Sequence, residues 1–230
     1  MGKEKSKSKQ YVIGDVHGCL LTLESLLLKK CKIKKDDEIY FLGDYIDRGK
    51  RIKQTLDFLI SLKEQKYKVH FLLGNHEDAF LSALNDYNYF ENWKKIGGAD
   101  TLKSFKINYP PEIPTKYLDF FASCKPFFLL DKFVLTHGGL NTKIDDPFSD
   151  YYSMLWTRAE KINKKKIGNR KLIVGHTPKS LQNIKESLKK NIIYLDGGCV
   201  YKDYNPNFGN LVALEINSME LFIQKYIDSK

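Results

Sequence analysis

Short apolar runs alternate with amphipathic segments along most of this chain. Nine of the runs are rich in β-branched and aromatic residues and have the length of strands. They are YVIG, IYFLG, VHFLLG, FFLL, FVLTH, LIVGH, IIYLDGG, LVALEI and ELFIQKY. Apolar positions recur at helical spacing in LLTLESLLLKK, RIKQTLDFLISLKEQ, EDAFLSALNDY and residues 92–106. Strands that alternate with helices predict a layered α/β fold.

The end of the chain departs from this alternation. Helical patterns concentrate in the first two thirds, whereas LVALEINSMELFIQKY has the pattern of a β-hairpin that turns at Asn217 and Ser218. A doubly wound parallel sheet would not finish with such a hairpin. We therefore predict an αββα sandwich, in which two packed mixed β-sheets are flanked by helices.

Length and composition predict one domain in an intracellular compartment. The sequence has 230 residues, which suits a single domain over residues 11–230, preceded by a basic flexible tail over residues 1–10. No apolar run approaches the ~20 residues that span a bilayer, and the start lacks the apolar core of a secretory signal. We expect a cytoplasmic monomer. Its scattered cysteines (Cys19, Cys31, Cys124, Cys199) form no C-x-x-C pair, which favours reduced structural thiols.

The charge balance favours anionic partners. The chain has 38 basic and 28 acidic residues, a net charge of +10. This excess is compatible with phosphorylated peptides, nucleic acid or an acidic membrane surface, and it does not choose among them. The tail also matches the myristoylation pattern M-G-x-x-x-S at Gly2 and Ser6. Because Lys3 is unfavourable in such a signal, we predict a solvated tail without a membrane anchor.

Polar side chains follow five of the predicted strands. They are Asp15 and His17 after YVIG, Asp44 after IYFLG, Asn75 and His76 after VHFLLG, His137 after FVLT, and His176 after LIVG. Because α/β sheets place ligand sites at the carboxyl ends of their strands, we expect these side chains to meet in one site. Oxygen and imidazole ligands without sulfur suit manganese, iron or zinc. Two such ions sharing a carboxylate catalyse phosphoester cleavage in other proteins.

The motifs themselves carry a family resemblance. GDVHG, GDYIDRG and GNHE occur in the order and spacing of the phosphoprotein phosphatase family of calcineurin-like metallophosphoesterases, and HGG and GHT follow them. LWTR, GHTP and YLDGG resemble the short bacterial and phage-type serine/threonine protein phosphatases. The resemblance spans roughly residues 11 to 215. It implies the αββα metallophosphoesterase fold.

The resemblance also implies a role for each motif residue. It implies two divalent metal ions, for which manganese is the first candidate and iron or zinc are alternatives. Asp15 and His17 would hold one ion, and Asn75, His137 and His176 would hold the other. Asp44 would bridge the two ions. His76 would be the general acid that protonates the leaving oxygen, and Asp47 would orient its ring. Arg48 and Arg158 would bind the phosphate oxygens, a task that suits planar guanidinium groups.

The function implied is a metal-dependent serine/threonine phosphoprotein phosphatase that hydrolyses phosphomonoesters by direct attack of a metal-bridging hydroxide. Its partner would be a phosphorylated protein or peptide. The alternative is a hydrolase of dinucleoside polyphosphates such as diadenosine tetraphosphate. That sister branch typically has alanine in place of Asp47, GNHD for GNHE and GHW for GHT, so all three positions favour the phosphatases. A nucleic-acid-binding module would have substituted metal ligands, and none is substituted, so no specific nucleic-acid partner is expected.

Other polar residues are predicted to be structural. His70 lies inside a strand outside every motif, and Cys19 is expected to pack at the start of the first helix. Glu77 is expected to brace a loop from the first turn of a helix, and Asp196 to brace loops rather than bind metal. Gly97 and Gly98 mark a helix break or part of a cap on the substrate side.

Overall fold

The computed structural model describes residues 8–229, and the predicted myristoylation-like motif at Gly2 and Ser6 lies outside this range. Nine strands form within it, one at each predicted run. They are β1 Gln10–Ile13, β2 Glu38–Phe41, β3 Lys68–Phe71, β4 Phe127–Leu129, β5 Phe133–Thr136, β6 Lys171–Val174, β7 Ile192–Tyr194, β8 Asn210–Glu215 and β9 Glu220–Lys225. The first strand begins at Gln10, the last residue of the predicted tail.

Eight α-helices lie in the same described region. They are α1 Leu20–Glu24, α2 Ile52–Glu64, α3 Asn75–Ser82, α4 Tyr87–Trp93, α5 Ala99–Phe105, α6 Thr115–Ser123, α7 Tyr151–Trp156 and α8 Leu181–Ser187. Helix α1 continues as a π-helical turn over Ser25–Cys31, and a second π-helical segment, Lys94–Gly98, joins α4 to α5. None of the helices between residues 8 and 229 combines the length and the hydropathy needed to cross a membrane.

The strands pair into two mixed sheets. The five-stranded sheet has the order β3-β2-β1-β8-β9, and the four-stranded sheet has the order β4-β5-β6-β7. Strands β1, β2 and β3 are parallel, as are β5, β6 and β7, whereas β4, β8 and β9 are antiparallel to their neighbours. Strands β8 and β9 form the predicted hairpin, with Glu215 opposite Glu220 across the turn.

Side-chain alternation along the strands builds the layers. In β1, Tyr11 and Ile13 pack with Leu23 and Leu56 of the helices, whereas Val12 faces the other sheet. Successive strand residues point to opposite faces, so each central strand contributes to two cores.

The second sheet repeats the arrangement. Leu135 and Ile173 join the core between the sheets, while Val134 and Leu172 face outward and pack against Met154 of α7. The predicted αββα sandwich, with two mixed sheets flanked by helices, is confirmed.

The helices differ from the prediction in detail. Residues 92–106 do not form one helix, because Gly97 has a φ of 131° and interrupts it. The helix predicted from EDAFLSALNDY begins two residues earlier and ends at Ser82. Helices α6, α7 and α8 have nine residues or fewer and were not predicted, since so short a segment shows little helical periodicity.

Candidate metal centre and active site

Five loops at the carboxyl ends of β1, β2, β3, β5 and β6 converge on one site. Several of its side chains sit on left-handed backbone, namely His17 (φ 43°), Asp44 (53°), Asp47 (69°), Arg48 (67°) and His176 (63°). Non-glycine residues rarely adopt this conformation, which costs about 1–3 kcal/mol each and clusters at functional sites. The interactions of the surrounding fold therefore compensate for backbone strain at the site.

Asp44 lies at the centre of the predicted metal ligands. Its Oδ2 is 3.3 Å from Nε2 of His17, and its Oδ1 is 3.3 Å from Nε2 of His137. Asp44 belongs to two sets of three buried residues whose possible ligand atoms all lie within 4.8 Å of one another. One set is His17, Asp44 and His76, and the other is Asp15, Asp44 and His137. The structure thus places Asp44 between both halves of the cluster.

Asn75 completes one side of the cluster. Its Oδ1 lies 2.9 Å from Nε2 of His137 and 2.9 Å from Nδ1 of His176. The six residues predicted to bind metal are therefore brought together from five separate loops.

The ring orientations of the histidines are set by backbone carbonyl groups. His17 and His137 donate from Nδ1 to the carbonyls of Ile46 and Leu42, each at 2.8 Å. Burial lowers the pKa of both rings, in His137 to about 4. A neutral ring that donates from Nδ1 presents a lone pair at Nε2, and these lone pairs face the oxygens of Asp44. A cation between nitrogen and oxygen would satisfy both, as in metal sites where the second ring nitrogen is held by a carbonyl.

Asp15 gives the clearest indication that the cluster fits a cation. Its Oδ2 accepts a hydrogen bond from the backbone N–H of His176 at 2.9 Å, but Oδ1 is buried and has no hydrogen-bond partner. Burial raises the pKa of Asp15 well above its usual value, and the nearby Asp196 and Asp44 raise it further. Buried unpaired carboxylates are costly, and hard divalent ions prefer oxygen and imidazole ligands. The donor set therefore fits divalent metal.

Glu77 holds the loop after β2 in place, as predicted. Its carboxylate accepts hydrogen bonds from the backbone N–H groups of Asp44, Tyr45, Ile46 and Gly74, at 2.8–3.1 Å. These bonds join the GDYIDRG loop to the GNHE loop. Glu77 thereby fixes the position of Asp44 relative to Asn75.

A buried pair of side chains lies beside the metal cluster. Nδ1 of His76 is 2.6 Å from Oδ2 of Asp47, which also accepts a hydrogen bond from Trp93 Nε1 at 2.9 Å. The hydroxyl of Thr101 donates to Oδ1 of Asp47 at 2.6 Å. Burial alone would lower the pKa of His76, but Asp44 and Asp47 outweigh it and raise that pKa.

Trp93 and Thr101 were not predicted from the sequence as site residues. The signal available for them was the glycine pair at Gly97 and Gly98, which lies between them. Gly97 approaches the GDYIDRG loop closely, because a Cβ at this position would lie 2.8 Å from Cγ of Arg48. The glycine pair is therefore part of the site.

The two predicted phosphate-binding arginines have different surroundings. Arg48 is half-buried; it donates from Nη1 to His17 Nε2 at 2.9 Å and from Nε to the carbonyl of Ile96 at 3.2 Å. Its guanidinium lies over the ring of Tyr201, 5.2 Å from the centroid. Arg158 is exposed and borders a cleft of about 480 Å³. Its charge contributes to a lowered pKa of His176, after the larger effect of burial.

The residues predicted to be structural have the following surroundings. His70 donates from Nε2 to the carboxylate of Glu38 at 2.6 Å and stacks on Tyr40, within the five-stranded sheet. Cys19 is buried at the start of α1. Asp196 accepts a hydrogen bond from the backbone N–H of Gly198 at 2.8 Å.

Two curated proteins align with part of the chain. The symmetrical bis(5'-nucleosyl)-tetraphosphatase of Buchnera aphidicola subsp. Baizongia pistaciae is 34% identical over 134 residues, which are 56% of this chain and 43% of that protein. The protein of the same name from Buchnera aphidicola subsp. Schizaphis graminum is 26% identical over 147 residues, 63% of this chain and 49% of that protein. The chain thus spans about half the length of these curated relatives.

Solved structures match nearly the whole chain at lower identity. A candidate diadenosine tetraphosphatase has a TM-score of 0.66 at 17% identity, covering 98% of this chain and 96% of that one. A protein serine/threonine phosphatase from Saccharomyces cerevisiae has a TM-score of 0.63 at 17% identity, covering 99% of this chain and 82% of that one. Because one fold serves both of these named activities, this likeness supports the fold alone.

The family is identified by a sequence model that matches the whole region containing the site. A sequence model of the calcineurin-like phosphoesterase family matches residues 9–212, a range that contains all five loops of the site. The fold, the Asp, His and Asn cluster and this match agree. The chain belongs to the calcineurin-like phosphoesterase family.

Proposed function

We propose that this metallophosphoesterase cleaves a P–O bond with His76 as general acid, and that dinucleoside tetraphosphates are its leading substrate class. The observation that carries the general-acid assignment is the buried His76–Asp47 pair, joined at 2.6 Å beside Asp44. A histidine held this way is positioned for proton transfer, which typically contributes about 10²–10⁴-fold to a rate.

The predicted ligands fit two divalent metal ions. Asp15 and His17 would hold one ion, Asp44 would bridge, and Asn75, His137 and His176 would hold the other. Manganese is the first candidate, and iron or zinc are alternatives with the same ligand preference. When bound, such ions neutralise phosphate charge and lower the pKa of a water molecule.

The chain's own residues would orient the substrate and supply the proton. Arg48 is held by Ile96 and Tyr201 with its guanidinium next to the cluster, and it would bind phosphate oxygens together with Arg158. Asp47 occupies Nδ1 of His76, so the transferable proton lies on Nε2. As the leaving oxygen separates from phosphorus, it would take this proton.

The comparisons and the geometry support different substrates. Both curated relatives described above are named as bis(5'-nucleosyl)-tetraphosphatases, which favours dinucleoside tetraphosphates over the phosphoproteins expected from the motifs. A specific observation keeps a serine/threonine phosphoprotein substrate as the second candidate. Asp47 is fully buried and bound to His76, and support of this kind matters most when the leaving group is a poor one, such as a serine alkoxide.

The substrate class can be tested with three substrates in the presence of manganese: diadenosine tetraphosphate, a phosphoserine peptide and an aryl phosphate. We expect the highest kcat/KM on diadenosine tetraphosphate. Asp47→Ala should slow hydrolysis of the phosphoserine peptide at least about tenfold more than that of the other two, whose leaving groups need little protonation.

The exposed Asp100, on α5 near Asp47, provides a matched control. Asp100→Ala should leave the rate on each of the three substrates unchanged. A higher kcat/KM on the phosphoserine peptide would transfer the assignment to the second candidate. Equal losses on all three substrates in Asp47→Ala would show that Asp47 supports the loop rather than the acid.

A further inference from the structure

Helix α7 carries two parallel aromatic rings at the edge of the site, an exposed Tyr152 and a partly buried Trp156. Tyr152 is 68% exposed, and its ring is stacked with that of Trp156, one helical turn later, at a centroid distance of 6.4 Å and an interplanar angle of 12°. Large aromatic side chains usually bury their area. The exposed ring of Tyr152, parallel to a second ring beside the site, is therefore accessible to a planar ligand.

Trp156 is fixed directly to the catalytic loops. Its indole Nε1 donates to Oδ2 of Asp78 at 2.8 Å, and Asp78 follows His76 by two residues in the first turn of α3. Its backbone carbonyl lies beside the ring of His176, where it opposes the lowering of that ring's pKa by burial. The aromatic pair is thus attached to the GNHE loop and lies beside the GHT loop.

The HGG loop fixes the same helix from a third side. The backbone N–H of Gly138 donates to the carbonyl of Met154 at 2.6 Å, and that of Gly139 donates to Ser153 at 3.0 Å. A Cβ on either glycine would come within 3.0 Å of backbone atoms around Thr157. Because the helix is held rigidly, little conformational freedom would be lost when a ring stacks on it.

Positive charge adjoins the aromatic pair. Arg158 follows Trp156 by two residues, and the cleft beside it is also lined by Lys143 and Lys161. An aromatic face next to a cluster of cations matches a ligand that has a flat base at one end and phosphates at the other. Bases of every kind stack on aromatic side chains, so this contact would tolerate different nucleosides.

We propose that Tyr152 and Trp156 form a stacking platform for a nucleobase of the substrate, while Arg158 and the adjacent lysines face its phosphates. The proposal deepens the dinucleoside tetraphosphate assignment and rests on it. It makes Tyr152 a specificity-determining residue outside the predicted site.

Intrinsic fluorescence provides a readout that is independent of catalysis. The sequence has two tryptophans, of which Trp93 is only 1% exposed, so a ligand that stacks on the surface would quench Trp156. We would titrate the manganese-loaded chain with AMP and with adenosine. Both should quench, and Tyr152→Ala should weaken their binding about tenfold, the order expected for the loss of one stacking contact.

Three variants sharpen the result. Tyr152→Phe keeps a ring and should bind as the wild type does, whereas Tyr152→Leu keeps apolar area without a flat face and should bind as Tyr152→Ala does. Tyr204→Ala removes another tyrosine, 86% exposed, and should change nothing. Since Tyr152 is mostly exposed, its variants are expected to fold, and circular dichroism would verify this.

Unquenched fluorescence in the wild type, or equal affinity in Tyr152→Ala, would overturn the platform. So would an equal effect of Tyr152→Ala on the binding of a phosphoserine peptide, because the contact would then not select a base. Failure of the proposed function looks different. If AMP binding depends on Tyr152 but diadenosine tetraphosphate is not hydrolysed, the platform stands and the tetraphosphate assignment does not.

Discussion

Asp15 shows how a single residue in the site works against the stability of the fold. Its Oδ1 is buried without a hydrogen-bond partner, and Asp196 and Asp44 lie close enough to raise its pKa further than burial does alone. A carboxylate in such surroundings is tolerated when a bound cation compensates it. The stability of the chain should therefore depend on metal through this residue.

Asp15→Asn tests this dependence through thermal unfolding. Without metal, the variant should melt a few degrees higher than the wild type, because each ~1 kcal/mol of relieved repulsion shifts the Tm of a chain of this size by about 2–4 °C. Manganese should raise the Tm of the wild type, since it binds the folded state, and should have much less effect on the variant.

Asp145→Asn is the matched control, because Asp145 is a surface carboxylate paired only with the Lys166 side chain in the described contacts. It should respond to manganese as the wild type does. An equal gain in Tm with manganese in Asp15→Asn and the wild type would show that Asp15 does not bind the ion.

The site residues differ in how far they could be predicted. Asp44, His137 and the other ligands follow apolar runs directly, so strand ends and motif spacing identified them. Trp93 and Thr101 bind Asp47 from a segment about 50 residues further along the chain. Apart from the glycine pair that lies between them, their local sequence does not mark that contact, because it depends on where α4 and α5 pack.

At the scale of elements, the π-helical segment between α4 and α5 positions Arg48. The carbonyls of Ile96 and Gly97 accept hydrogen bonds from Arg48 Nε and from its backbone N–H, at 3.2 Å and 3.4 Å. Gly97 has a φ of 131°, and an added Cβ would lie 2.8 Å from Cγ of Arg48. This segment thus leaves no room for a side chain at position 97.

Gly97→Ala should therefore lower kcat/KM by about tenfold or more, since small displacements of a substrate-positioning residue have effects of this size. Gly168→Ala is the control. Gly168 also has a left-handed φ, of 65°, but a Cβ there would meet only the flexible end of Arg170, remote from the metal cluster. Both variants should lose similar stability, and only Gly97→Ala should lose activity. Unchanged kinetics in Gly97→Ala would show that Arg48 does not depend on this contact.

Asp57 joins α2 to α6 through a small charged cluster. It lies 2.8 Å from Lys53 Nζ, 2.7 Å from Lys116 Nζ and 2.8 Å from the Tyr117 hydroxyl. Partial burial alone would raise the pKa of Asp57, but these three partners lower it to about 2. A carboxylate with a lowered pKa stabilises the fold above its unfolded pKa of about 3.9, and the contribution is lost as the pH falls through about 2.

Asp57→Asn should lower the free energy of unfolding by about 1 kcal/mol at pH 7, a value reduced for solvent screening. The difference from the wild type should shrink between pH 4 and pH 2 in urea titrations, because the wild-type carboxylate becomes neutral there. Asp119→Asn, at an exposed position on α6, serves as the control and should show no such trend. A difference that stays constant with pH would assign the loss to packing.

Strands and helices also differed in how well their patterns predicted them. The central strands are buried on both faces and form continuous apolar runs, whereas the edge strands β3, β4 and β9 are only partly buried and were recognised by their aromatic and β-branched residues. Helices such as α7 are short and are held by their contacts with loops. In α7, the carbonyls of Met154 and Ser153 accept hydrogen bonds from the backbone N–H groups of the HGG glycines. Such helices depend on tertiary packing more than on periodicity, so their sequences carry little signal.

At the scale of the whole molecule, the fold does not decide the substrate. The chain superimposes on proteins named as a tetraphosphatase and as a serine/threonine phosphatase with nearly equal scores. The net charge of +10 suits either anion. Selectivity must then come from what surrounds the metal cluster, and variants of Tyr152 and Asp47 test the two candidate activities against each other.

The pairing of β1 with β8 has a consequence for the time at which the enzyme becomes competent. Tyr11 lies opposite Glu215, so the two strands are about 200 residues apart in the chain. At ribosomal rates of about 5–20 residues per second, β1 emerges about 10–40 s before the strand that covers its open edge. For most of that interval Asp15 and His17 lack His137 and His176, which precede β8 in the chain. Nascent chains should therefore need protection of this edge until β8 pairs with β1, and the full ligand set should become available only late in synthesis.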